Sequence, residues 1–162
     1  MTRNSKLLLL LILLIAVFAV NSCKKDEQSS ISDFLTRSTW NLALLQRFKY
    51  VNEALVKTDT IQAGCTLNQT LLFNADNTYN FNNYSCKTGL LSSTWSFTPD
   101  MLYLNLNSVI SQTSPTFSSK QNVARIINLG QYSLSFDAGD VNIVHKPTDT
   151  VVIYRYGFIH SK

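Results

Sequence analysis

From Trp40 onward the chain repeats with a period of two. Trp40, Leu42, Leu44, Phe48 and Tyr50 share one parity, and Asn41, Arg47 and Lys49 share the other. Gln46 interrupts the apolar row. Successive side chains of a strand point to opposite faces, so this is a half-buried strand with one oily side. Leu67, Leu71 and Phe73 alternate with polar neighbours, as do Tyr79 and Phe81, Trp95 and Phe97, Leu102 to Leu106, Leu134 and Phe136, and Val152 to Phe158. In Val123–Leu129 both parities carry apolar residues. About eight short strands at this spacing predict an all-β, antiparallel sandwich or barrel.

The breaks carry turn chemistry. Ala75-Asp76-Asn77 offers an Asn that tolerates positive φ, and Pro99-Asp100 suits a tight type I turn. Gly130-Gln131 and Ala138-Gly139-Asp140 are read as further turns. The polar stretch 108–122 is read as a long loop. Ile31–Arg37 is read as one short helical turn with Ser32 as its N-cap.

The N-terminus is built differently. Arg3 and Lys6 precede 14 uninterrupted apolar residues, Leu7–Val20. A helix of that length spans roughly 21 Å, short of the ~30 Å hydrocarbon core, so a signal-peptide core fits better than a stable span. Val20-Asn21-Ser22-Cys23 then has the pattern of a bacterial lipobox, which implies removal of residues 1–22 and lipidation of Cys23. The mature chain keeps 12 basic against 10 acidic residues, or +2. That balance is too small and too scattered for a nucleic-acid footprint. Residues 23–33 are read as the lipidated Cys and a polar tether. Lys25-Asp26-Glu27 resembles the export address of surface lipoproteins, with the periplasmic leaflet of the outer membrane as the rival destination.

Cys65 and Cys86 remain. In an exported chain an even pair reads as a disulfide. Closing a loop of about 21 residues is worth roughly 3 kcal/mol on the chain-entropy model.

Residues 34–158 together resemble the lipocalin-like lipoproteins of bacteria. A helical turn leads into Ser38-Thr39-Trp40, where lipocalins carry Gly-x-Trp. Phe73 to Tyr79 is similar to the family's Phe-x-x-Asp-Gly-x-Tyr hairpin, and Thr94-Trp95-Ser96-Phe97 to its Gly-x-Trp-x-Phe/Leu strand. Ser38, Asn77 and either Ser93 or Thr94 stand where the family has glycine. The resemblance implies an up-and-down meander barrel over 34–162 with an interior that holds a small apolar ligand.

Catalytic chemistry is thinly supported. His145 and His160 lack partners at metal-ligand spacing, no Gly-x-Ser-x-Gly elbow occurs, and Asp137 and Asp140 read as turn residues around Gly139. We therefore expect no enzyme, metal or cofactor. The expected ligand-binding set is aromatic: Phe48, Tyr79, Phe81, Trp95, Phe97, Tyr154 and Tyr156. The same rings also fill cores, each burying ~150–250 Å². An eight-stranded barrel is just wide enough for either outcome. Two functions follow. One is capture of a small hydrophobic ligand at the outer membrane. The other is a packed, non-enzymatic adaptor that binds another envelope protein; in either case a monomer is expected.

Overall fold

In a computed structural model, residues 31–107, 122–141 and 144–160 are described. The signal segment, Cys23 and the tether lie outside them, as does nearly all of the 108–122 segment. The described strands all belong to one compact unit, Phe34–Lys162. Among the described residues no helix is long and apolar enough to cross a membrane.

A short helix covers 31–36. Residue 31 is already helical, so Ser32 lies within the helix rather than capping it. Nine strands follow among the described residues: β1 Trp40–Val51, β2 Ala54–Thr60, β3 Thr70–Phe73, β4 Thr78–Asn82, β5 Leu90–Phe97, β6 Tyr103–Leu106, β7 Val123–Leu129, β8 Ser133–Gly139 and β9 Thr150–His160. All pairs are antiparallel. From β3 to β9 each strand pairs with the next. The ring of eight closes because β1 pairs with β9 along its whole length and with β3 at its start. The expected meander barrel is thus present. β2 is an extra strand, hairpinned onto the far half of β1 and standing at the end of the sheet order.

Turn residues act largely as their chemistry dictates. Asn77 takes φ 64 between β3 and β4. Met101 N–H donates to Thr98 O at 2.8 Å across Pro99-Asp100. Ala138 and Gly139, expected in a turn, instead finish β8. Leu67 lies before β3 rather than in it.

One core fills the ring. Leu71, Phe73, Tyr79, Phe81, Leu104, Leu134, Phe136 and Phe158 are among its buried residues. Trp40 is wholly buried near the helix, and its indole N–H donates to Leu35 O at 2.9 Å. That bond satisfies the one polar group of a large buried ring.

Candidate functional site

The aromatic set is built by facing positions. In an antiparallel ladder, residues directly opposite share a face. Phe136 faces Tyr156, Leu134 faces Phe158, and Leu71 faces Phe81. Of the seven expected ligand residues, Tyr79, Phe81, Trp95, Tyr154 and Tyr156 lie in the core, and Phe97 is half-buried beside Trp95 with ring centroids 5.4 Å apart. The rings pack on one another. Phe73 meets Trp95 at 5.5 Å, Phe136 meets Tyr156 at 5.2 Å, and Phe81 meets Phe158 at 6.0 Å.

Phe48 is the exception. The β1–β9 register shifts between Leu42 and Leu44, so parity reverses past Ala43. Leu45, not Leu44, then enters the core, opposite Tyr156. Phe48 lands opposite Ile153 on the outer wall, with the Arg155 guanidinium 5.1 Å from its ring centroid. A one-residue slip exchanges the faces of everything that follows.

On that outer wall Arg155 donates to Asp137 through Nε at 2.8 Å and Nη2 at 3.0 Å, and Arg125 Nη2 donates to the same carboxylate at 3.1 Å. Asp137 is fully buried beneath these two cations. Hydrogen bonding to Asp137 raises the Arg155 pKa above its ordinary value. Asp137 was expected in a turn; it sits instead mid-strand, where Phe136 and Ala138 point inward and it points out. Arg125 stands opposite Asp137 in the β7–β8 register and so lies outside with it.

The reversal also turns Arg47 and Lys49 to the inner side, opposite Tyr154 and Val152. Arg47 and Lys57 share Asp59, with Lys57 Nζ 3.1 Å from its carboxylate. These partners hold the Asp59 carboxyl below its ordinary range, chiefly through the Arg47 hydrogen bond. Deeper in, Tyr84 and Tyr156 are hydrogen-bonded, and burial pushes the Tyr156 hydroxyl well above 10.0.

Cys65 and Cys86 are joined, with Cα atoms 5.8 Å apart. The bridge ties the segment before β3 to the 3-10 turn Tyr84–Cys86 after β4.

Among the clefts lined by described residues, two lie beside β1. One, of about 310 Å³, lies between Tyr50, Val151 and Ile153 and the segment carrying His145, Lys146 and Asp149. The other, of about 220 Å³, lies between Leu42–Leu45 and residues 60–69. None of the seven expected residues lines either. Among the described residues no three His, Cys, Asp or Glu are grouped to hold a metal ion. Sequence reasoning missed two features here: the Asp137 clamp and the cationic row on β1 and β2. Compared with known proteins, the chain matches no protein-family model and no curated sequence.

Proposed function

We propose that this chain is a bacterial lipoprotein, held at the outer membrane through lipid on Cys23. Its lipocalin-like barrel serves there as a packed, non-enzymatic adaptor for another envelope protein. The observation that carries the adaptor reading is the filled interior. Phe81 has no exposed surface, and its ring meets Phe158 at 6.0 Å. Within the ring, a ligand cavity would need roughly 300 Å³ or more of concave space. A side chain lining such a space would keep exposed surface, and Tyr79, Phe73 and Phe136 have none.

A small apolar ligand is the second reading. It is favoured by Phe97, half-exposed at the edge of the aromatic set beside Trp95. Native mass spectrometry of mature protein purified from its own host separates the two. The adaptor reading expects the mass of the lipidated polypeptide alone; a co-purifying small molecule of defined mass moves the assignment to ligand capture. Cys23→Ser tests the anchor separately: the protein should leave the membrane fraction, and retention would defeat the lipoprotein reading.

A further inference from the structure

We propose that the free edge of β2 accepts an extended acidic segment of another envelope protein as an added strand. The proposal rests on the adaptor reading above and names the chemistry of the partner.

β2 ends the sheet order, and β1 is the strand it pairs with. Six of its seven residues are exposed, with Leu55 at 52% and Val56 at 56%. Its backbone register says which groups are unused. Ile61 N–H donates to Leu45 O, so Ile61 turns its peptide groups toward β1. Strand alternation then aims those of Thr60 and Thr58 away from β1, toward the open edge. Among the described residues no backbone group pairs with these, and such a row of donors and acceptors is a template for strand addition.

Charge selects the partner. Lys49 and Lys57 stand directly opposite one another, which is a destabilising like-charge pair. Arg47 lies on the same face, opposite Asp59. Asp59 is the one carboxylate shared by Arg47 and Lys57. On this face of the two strands three cations therefore meet one acid, with Glu53 set apart in the connecting turn. A strand laid along β2 places a residue beside Lys57. A carboxylate there relieves the excess, and an ammonium adds to it. The same excess opposes pairing of β2 with a second copy of itself, since two such rows would meet. On the other face Thr58, opposite Phe48, and Leu55, opposite Tyr50, favour apolar β-branched neighbours. The fitting segment alternates acidic and β-branched residues.

The test uses the mature chain carrying Cys23→Ser and two peptides, Thr-Glu-Val-Glu-Val-Glu-Thr and its counterpart with Lys for Glu. Affinity is read by calorimetry at low salt and the contact by amide hydrogen exchange. The acidic peptide should bind about tenfold more tightly than the basic one and protect the Thr58 and Thr60 amides. Lys57→Glu, with its melting temperature unchanged, should reverse that order. Equal binding of both peptides, no binding, or protection away from β2 overturns the proposal. So does a dimer in sedimentation that protects Thr58 and Thr60 without peptide. The native-mass result stands apart: a bare barrel that ignores the acidic peptide sinks this inference alone, and a barrel carrying a small ligand sinks the packed-adaptor reading.

Discussion

Phe81 on β4 and Phe158 on β9 touch across the barrel, with ring centroids 6.0 Å apart, although β1 and β3 lie between their strands. The contact closes the lumen, and Phe136 reinforces it from β8 at 5.6 Å from Phe158. Phe81→Ala should therefore cost about 3–5 kcal/mol in urea unfolding, because transfer and cavity terms add. The void it leaves is apolar and dry, and such voids take up benzene. Benzene should raise the melting temperature of the variant and leave that of the parent unchanged. A parent that is equally stabilised would mean the lumen is already open.

On the outer wall the same side-chain type should matter far less. Phe48 meets the Arg155 guanidinium rather than the core. Phe48→Ala should cost about 1 kcal/mol or less, the worth of an exposed cation–π contact. Asp137→Ala should cost more, about 1–3 kcal/mol, because it strips two arginines of their shared buried acceptor while both remain partly in water. Chemical denaturation of the two variants checks the order. If Phe48→Ala proved the more damaging, the outward placement of Phe48 would be wrong.

Where one face is oily and the other wet, the strands were legible. Tyr79 and Phe81, Leu104 and Leu106, Leu134 and Phe136, and Val152 to Phe158 point inward as their alternation requires. The pairing of Cys65 with Cys86 was equally plain, since no other partner remained. Phe48 was misplaced because parity counted from Trp40 cannot register a bulge at Ala43. The trace of that slip was visible in Gln46, which broke the apolar row, and in the adjacent Leu44 and Leu45. A second bulge, between Ile126 and Asn128, explains why both parities of Val123–Leu129 are apolar. β2 left no alternation to detect, because water lies on both of its faces. Asp137 looked like a turn residue beside Gly139; its burial depends on Arg125 and Arg155, which come from other strands.

The Cys65–Cys86 bridge spans a sequence separation of 21. Loss of a cross-link over that length should cost about 3 kcal/mol. Cys65→Ser with Cys86→Ser should therefore lower stability by that amount without opening the barrel, since neither cysteine belongs to the buried core. Unfolding curves with and without reductant should show the same loss in the parent and none in the double variant. Free thiols on alkylation of the oxidised mature protein would refute the bridge.

Tyr156 sets the alkaline limit. Burial is the main cause of its raised pKa, and the hydrogen-bonded Tyr84 adds to it; burial raises the Tyr84 hydroxyl as well. The folded state thus keeps a proton that the unfolded chain gives up near the ordinary value of 10.0. A raised acid contributes its full stability below the unfolded pKa, and that contribution falls as pH climbs past it. The slope approaches about 1.4 kcal/mol per pH unit for each such group. Urea midpoints should therefore drop steeply between about pH 10 and pH 11. Tyr156→Phe should cost about 1 kcal/mol at neutral pH for the lost hydrogen bond, yet show a shallower alkaline decline. Parallel declines in parent and variant would mean that Tyr156 already ionises freely in the folded barrel, and that its hydroxyl reaches water.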